Sequence, residues 1–223
     1  MTYGAKQATR AATLVVAPPN ASALARRQAD YICDGVQDEA KLVAAVNRLE
    51  ALGGGTLTFA EGIINVSPNS FLYSAGGVDV YAAVPLPSNI GLHIPPGTTI
   101  RFADGVGQAL RQQSIFHTKY PTSVAGSTGL VIWGGGLLDG NKANQAAGTM
   151  DGVHWDNAHF CRVEGMFFQD FRNWGHCIDQ EDVLYQRSTF CIVSQCHFSG
   201  IVGENIYIDD SDENQVLFCT SDG

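Results

Sequence analysis

The fold is decided by three stretches of sequence that align at a spacing of 30 residues: LVIWGGGLLDG (130–140), FCRVEGMFFQD (160–170) and FCIVSQCHFSG (190–200). Apolar residues fall at the same four positions of each stretch: Leu130, Phe160 and Phe190; Val131, Cys161 and Cys191; Trp133, Val163 and Val193; Leu138, Phe168 and Phe198. A fixed period with an apolar-x-apolar core is typical of architectures built from stacked units.

Weaker copies of the same pattern flank these three: TLTFAEG (56–62), GLHIPPG (91–97) and QVLFCTS (215–221). The matched apolar positions then succeed one another at steps of 35, 39, 30, 30 and 25 residues, by subtraction along the chain. A coil of this size cannot bury its apolar face alone, so stacking must supply the core while loops absorb the differences in length. The pattern predicts an all-β fold, a right-handed single-stranded parallel β-helix.

The segment before the repeats contains the one clear helical pattern, DEAKLVAAVNRLEAL (38–52), which three glycines follow. A helix at this place would cover the open end of the first coil, where unpaired strand edges would otherwise be exposed. We therefore expect an N-terminal arm and lead-in strand over residues 1–28 and a β-helix domain with a capping helix over residues 29–223. The sequence ends within a coil pattern, so we expect further chain or a partner there.

Several stretches resemble a known family. The stretch ADYICDGVQDEAKLVAAVNRLEALGGGTLTFAEGIINV (29–66) resembles the opening of pectate-lyase-like proteins, and VIWGGGLLDGN (131–141) is similar to a coil common in that superfamily. The stretch LVVAPPNASALARRQ (14–28) resembles the lead-in of phage tail proteins of this group. The resemblance implies a tailspike or tail fibre located in the virion, a homotrimer that engages host surface polysaccharide and contacts other virion tail proteins.

The resemblance does not extend to the catalytic motifs of polygalacturonases. Residues 149–152 are similar to the first of their motifs, but the paired aspartates of the second are absent from residues 174–178. Gly203-Glu204-Asn205 stands where the third has a histidine. Polygalacturonase chemistry is therefore not carried over to this chain.

The charge and the termini restrict the partners. Thirteen basic against 22 acidic residues give a net charge of −9, which disfavours nucleic acid and anionic membrane surfaces. A neutral or weakly charged glycan fits better, because an anionic one would be repelled at long range. No signal peptide and no apolar run of membrane-spanning length is visible, as expected for a virion protein released by lysis.

Three strand patterns place acidic residues in one row: DGVHWDN (151–157), WGHCIDQ (174–180) and ENIYIDD (204–210). Aligning Trp155, Ile178 and Ile208 as inward residues makes the next residue of each strand, Asp156, Asp179 and Asp209, point outward. Neighbouring coils lie about 4.8 Å apart, so these carboxylates would have the spacing of glycosidase acid pairs and would raise one another's pKa. Asp151 and Glu204, upstream in the same strands, are further catalytic candidates.

Aromatic and imidazole side chains near these carboxylates are the candidates for substrate binding: His154, Phe171, Trp174, His176 and Tyr207. Phe171 and Trp174 follow a repeat strand and would form a platform on which a sugar ring stacks. Aspartates are also common at coil turns because they bond to local backbone, so the acidic row has a purely structural interpretation as well.

No cofactor is expected, although an aspartate ladder is also compatible with calcium. The chain has no CxxC pair, which disfavours a structural zinc site, and Cys161, Cys191 and Cys196 fit a ladder of small core groups. Three functional hypotheses stay open: a phage protein that binds and hydrolyses polysaccharide, a virion module that binds without cleavage, and a free pectin-active hydrolase or lyase.

Overall fold

The computed structural model describes residues 12–179 and 187–222, which contain many short strands and two α-helices. In chain order the elements are β1 (Ala12–Ala17), α1 (Ala23–Gln28), β2 (Tyr31–Ile32), α2 (Asp38–Ala51), β3 (Gly55–Phe59), β4 (Gly62–Val66), β5 (Ser70–Ala75), β6 (Val78–Leu86), β7 (Ile90–His93), β8 (Thr98–Phe102), β9 (Arg111–Thr118), β10 (Ser127–Thr128), β11 (Val131–Trp133), β12 (Leu137–Asp139), β13 (Thr149–Asp156), β14 (Ala158–His159), β15 (Arg162–Glu164), β16 (Phe167–Gln169), β17 (His176–Asp179), β18 (Ile192–Ser194), β19 (His197–Ser199), β20 (Ile206–Ile208), β21 (Gln215–Leu217) and β22 (Thr220–Asp222). A short 3-10 helix covers Lys142–Asn144.

The strands form three main parallel sheets. Sheet 1 has the order β2-β1-β3-β7-β11-β15-β18-β21, sheet 2 the order β22-β19-β16-β12-β8-β4, and sheet 3 the order β20-β17-β13-β9-β6-β5. Consecutive strands such as β11, β12 and β13 belong to sheets 1, 2 and 3 in turn, and the next coil repeats the sequence. This is the path of a parallel β-helix, and within the described strands only the β5–β6 pair is antiparallel.

The predicted register is confirmed in two of the three sheets. In sheet 2, Leu138, Phe168 and Phe198 are paired neighbours. In sheet 3, Trp155, Ile178 and Ile208 are paired neighbours. Because side chains alternate along a strand, these matches fix which residues of the two sheets face the core.

In sheet 1 the predicted register holds between β3 and β7 and between β15 and β18, but it is wrong by one residue on both sides of β11 and by two residues between β18 and β21. Val131 pairs with Arg162 rather than Cys161, and Trp133 pairs with Glu164 rather than Val163. The cause at β11 is the length of the following turn: three glycines (134–136) join β11 to β12, whereas two residues join β15 to β16. Trp133 therefore lies on the outer face, and Ile132 takes the core position.

The core is a set of apolar ladders that run across the coils. The sheet 1 ladder consists of fully buried side chains: Leu57, Leu92, Ile132, Val163 and Val193. The sheet 2 ladder likewise consists of buried side chains: Ile64, Ile100, Leu138, Phe168 and Phe198. Cys161, Cys191 and Cys196 are also buried in the core, as predicted, which leaves the outer face of each sheet to polar chemistry.

The N-terminal elements pack onto the first coil. The predicted lead-in strand is part of β1, which pairs in parallel with β3 of the first coil. The predicted helix is α2, which buries Leu42, Ala45, Val46 and Leu49. The helix ends at Ala51, and Gly53, two residues later, has a φ of 87°, which favours glycine. Most of the predicted arm, residues 1–11, lies outside the described residues.

His176 is a polar residue inside the apolar core. It pairs with Val153 and Ile206 on the inner face of sheet 3 and is completely buried. Its Nδ1 donates to the carbonyl of Val153 at 2.9 Å, and its ring meets that of Trp155 edge-on at 4.5 Å. Burial lowers the pKa of His176 from 6.5 to about 3, so the folded protein holds it neutral.

A neutral buried histidine makes stability depend on pH. The unfolded chain takes up a proton at His176 below pH 6.5 and the folded chain does not, so this contribution is present above pH 6.5 and lost as pH falls. Replacing His176 with isoleucine, the residue found at the paired position 206, should abolish it. We expect the free energy of unfolding in urea to fall by about 2 kcal/mol more for the original chain than for His176→Ile between pH 6.5 and 5. Equal losses in the two proteins would show that His176 is not buried neutral.

Candidate functional site

Most of the candidate residues gather at the outer face of sheet 3, in two layers, and two of them, Phe171 and His176, face the core. A polar cluster lies beneath the surface and consists of His117, Asp151, His154, Asp156, Cys177 and Asp179. An aromatic patch lies above it at the surface and consists of Trp174, Glu204, Tyr207 and Asp209. The parallel register produces both layers, because His117, His154, Cys177 and Tyr207 are successive neighbours across four strands.

The predicted aspartates lie in one row across neighbouring coils, but two of the three are buried. Asp156 and Asp179 are paired neighbours, and the amide of Asp209 donates to the carbonyl of Ile178 in the adjacent coil. Asp156 and Asp179, however, are only 4% and 6% exposed. The Tyr73 hydroxyl, from the β5–β6 hairpin, donates to Asp156 Oδ2 at 2.7 Å. The expected open row of three carboxylates is therefore wrong, since the hairpin adds a contact above the coil that coil alignment cannot reveal.

Asp151 is also buried and holds the turn that precedes β17. Its Oδ1 accepts hydrogen bonds from the Asn173 side chain at 2.9 Å and from the backbone amide of Trp174 at 3.1 Å. Its Oδ2 lies 3.3 Å from Nδ1 of His154. These contacts position Trp174 and the His154 ring, and they leave Asp151 no exposed surface for a substrate.

His154 is predicted as a substrate-binding residue, but it is completely buried. Burial acts to lower the pKa of His154, while Cys177, Asp151 and Asp179 around the ring raise it well above 6.5. Burial raises the pKa of the Cys177 thiol well above 9.0. No part of the His154 ring reaches solvent.

Phe171 and His176 are also predicted to bind substrate, and this prediction is wrong because both are buried. Phe171 is fully buried and packs edge-on against Phe102, with ring centroids 6.2 Å apart. His176 faces the core as described above. Both point inward because the backbone turns at Asp170, whose φ is 55°, and because His176 is two residues before the inward Ile178.

The aromatic patch retains the accessible candidates. The rings of Trp174 and Tyr207 stack with centroids 4.4 Å apart and an interplanar angle of 5°. Trp174 Nε1 donates to Glu204 Oε2 at 2.6 Å, and the Tyr207 hydroxyl donates to Asp209 Oδ2 at 2.7 Å. This bond to Asp209 raises the pKa of Tyr207 to about 12, so the phenol stays protonated. Each ring is thus fixed by a carboxylate while Glu204 and Asp209 stay exposed.

The two exposed carboxylates of the patch are both engaged as hydrogen-bond acceptors. Glu204 Oε2 accepts from Trp174 Nε1, and Asp209 accepts from the Tyr207 hydroxyl through Oδ2 and from the amide of Asp210 through Oδ1. In this arrangement each carboxylate fixes a ring of the patch.

A second, half-buried aromatic pair lies on the outer face of sheet 1, and the sequence prediction missed it because of the register error there. Trp133 stacks on His93 with centroids 5.4 Å apart and lies directly over Gly91. Together with Arg162 and Glu164 it lines a shallow groove of about 460 Å³. The signal in the sequence was the triple glycine after Trp133, which lengthens the turn and shifts the alternation.

Comparisons with known proteins support the fold. The sequence matches no protein-family model and no curated protein. The structure is similar to that of the tailspike protein of E. coli bacteriophage HK620 in complex with pentasaccharide, at 21% identity and a TM-score of 0.65. A mutant of that tailspike in complex with hexasaccharide is similar at 20% identity, also with a TM-score of 0.65.

The similarity covers most of this chain and a minor part of the tailspike. It spans 83% of the present chain and 31% of the tailspike chain, so the chain corresponds to about a third of its length. At this identity the likeness establishes the β-helix fold and no residue roles. None of the described helices has the length and apolar character that a membrane crossing requires.

Proposed function

We propose that this chain is part of a phage tail protein that binds host surface polysaccharide through the aromatic patch of sheet 3. The observation that carries the proposal is the half-buried Trp174–Tyr207 stack with an exposed carboxylate at each ring. It stands on a fold shared with a tailspike that has been solved with penta- and hexasaccharide bound.

The chemistry of the patch suits a sugar. An aromatic face covers the apolar side of a pyranose ring, and a few placed polar groups receive its hydroxyl hydrogens. The rings of Trp174 and Tyr207 and the exposed carboxylates of Glu204 and Asp209 supply these two kinds of contact. The net charge of −9 favours a neutral or weakly charged glycan.

Binding without cleavage has more structural support than hydrolysis. Asp151, Asp156 and Asp179 are buried, and the exposed carboxylates of Glu204 and Asp209 accept hydrogen bonds from the rings of the patch. We therefore favour a receptor-binding module, in which hydrolysis, if the whole virion protein performs it, uses groups beyond those described.

The remaining architectural and assembly expectations belong to the same proposal. We propose a right-handed coil with α2 as its cap, because α2 packs its apolar face against β1, β3, β4 and β6 of the first coil. A pectate-lyase-like origin, a homotrimer, contact with other tail proteins and a place in the virion follow from the sequence resemblance. Light scattering of the purified chain would measure the oligomeric state.

The proposal is tested with a panel of purified bacterial surface polysaccharides, neutral and anionic. Binding is measured by affinity electrophoresis, and cleavage by reducing-end release, for the intact chain and for the variant Asp179→Asn/Asp209→Asn. We expect binding to at least one neutral glycan and no reducing ends above background.

Two outcomes would contradict this proposal. The first is failure of the folded chain to bind any glycan of the panel. The second is release of reducing ends that the double variant loses, which would make the chain a hydrolase with its acids on this face.

A further inference from the structure

Three side chains of the polar cluster bring different donor atoms together. His154 Nε2 lies 3.7 Å from Asp179 Oδ1, and Cys177 Sγ lies 3.4 Å from Asp179 Oδ2. One donor atom from each of the three residues lies within 4.8 Å of the other two. Ligands of a tetrahedral zinc ion are roughly 3.3–3.6 Å apart, given bond lengths of about 2.0–2.3 Å. The cluster is therefore close to the size of a zinc site.

The donor atoms are buried and lack other partners. His154 and Cys177 are fully buried and Asp179 is 6% exposed. Among the described residues, neither His154 Nε2 nor Asp179 Oδ1 has a hydrogen-bond partner. Unpaired polar atoms are costly in a protein interior, so two of them aimed at each other indicate a missing group between them.

The second nitrogen of His154 is held by two side chains. Nδ1 lies 3.0 Å from Gln112 Nε2 and 3.3 Å from Asp151 Oδ2, so Nε2 faces Asp179 on the other side of the ring. A ligating imidazole usually donates its other N–H to a carboxylate, and Asp151 is the carboxylate placed to accept it. Asp151 is itself held by Asn173 and the Trp174 amide.

We propose that His154, Cys177 and Asp179 form a binding site for a divalent transition-metal ion, with zinc as the best fit. A set of one nitrogen, one sulfur and one oxygen donor suits zinc and disfavours calcium and magnesium, which take oxygen ligands. His117 stacks on His154 with centroids 4.6 Å apart and offers a further buried nitrogen. On binding, a zinc–sulfur bond replaces the S–H bond of Cys177, a zinc–nitrogen bond replaces the N–H bond at Nε2 of His154, and both protons leave to solvent.

The site would join two coils beneath the aromatic patch. His154 belongs to β13, and Cys177 and Asp179 belong to β17 of the next coil, so the ion cross-links adjacent strands of sheet 3. The ring of Trp174 lies 6.1 Å from that of His154. Because the cluster is closed to solvent, the ion is taken up as the coils stack. The competing occupant is a proton on His154, held by Asp151 and Asp179.

The test uses the full chain without a histidine tag, unfolded in chelator and refolded with Zn²⁺ or Co²⁺. We expect one equivalent of metal per folded chain by elemental analysis. The Co²⁺ form should show a thiolate-to-cobalt charge-transfer band, which Cys177→Ser loses. Cys196→Ser is the matched control, because Cys196 is another buried core thiol, and it should keep both metal and band.

If Cys177→Ser does not fold, the variant Asp151→Asn still tests the proposal. Asp151→Asn leaves all three ligands in place and removes the carboxylate that orients His154. It should lower the zinc affinity about 10- to 100-fold while keeping the charge-transfer band. The proposal is overturned if the folded original chain binds less than a stoichiometric amount of metal, or if the band persists in Cys177→Ser. An unchanged zinc affinity in Asp151→Asn would also contradict it.

Discussion

Replacing Phe168 with alanine is expected to lower the free energy of unfolding by about 3–5 kcal/mol, the usual cost of removing a buried phenylalanine. Phe168 is fully buried in the sheet 2 ladder and stacks on Phe198 with centroids 4.8 Å apart. It also fills the space above Gly152, where its ring would lie 2.8 Å from an added Cβ. Urea unfolding followed by circular dichroism measures the loss.

The neighbouring phenylalanine provides the control. Phe167 is 48% exposed and points outward, so Phe167→Ala should cost less than about 1 kcal/mol. A one-residue slip of register would exchange the two roles, because it moves every side chain to the opposite face. Similar losses in the two variants, or a larger loss in Phe167→Ala, would therefore show that the sheet 2 register is wrong.

Replacing both Trp174 and Tyr207 with alanine is expected to weaken glycan binding at least about 100-fold, or about 2.7 kcal/mol. Aromatic residues at the centre of a binding surface commonly contribute 1–2 kcal/mol or more each, and here the two rings form one platform. The affinity is measured by calorimetry with an oligosaccharide that the glycan panel identifies.

The matched control for this variant is Trp133→Ala. Trp133 is the other surface tryptophan, on sheet 1, stacked on a histidine in the same way. Its removal should leave the affinity within about twofold, and unfolding curves of both variants would exclude a loss of fold. A loss of binding in Trp133→Ala alone would move the glycan to the groove of sheet 1.

The fold was largely predictable because coil stacking repeats the same apolar positions. The alignments of Leu138 with Phe168 and of Trp155 with Ile178 were sufficient to establish two sheets. The register of the third, sheet 1, was predicted wrongly because an ungapped alignment does not detect a turn that is one residue longer. Trp133 appeared as a core residue for that reason, although the adjacent glycines marked an unusual turn.

The site was less predictable because its burial depends on contacts distant in sequence. Alternation correctly placed Asp156 and Asp179 outside the coil, but Tyr73, 83 residues before Asp156, covers the nearer carboxylate. For His176 the same alternation predicts an inward side chain, which is correct, whereas its polar character led to the wrong prediction of a surface position. The pairing of His154 with Cys177 was present in the aligned strands, and reading the outward positions across coils would have revealed it.

The central claim is that a glycan binds over Trp174 on the outer face of sheet 3, and tryptophan fluorescence tests it most directly. The described residues contain three tryptophans, of which Trp155 is buried and Trp133 and Trp174 lie on different sheets. Titration with a bound oligosaccharide should give a saturable change that Trp133→Phe retains and Trp174→Phe loses. A change that Trp174→Phe retains and Trp133→Phe loses would contradict the account and place the glycan on sheet 1.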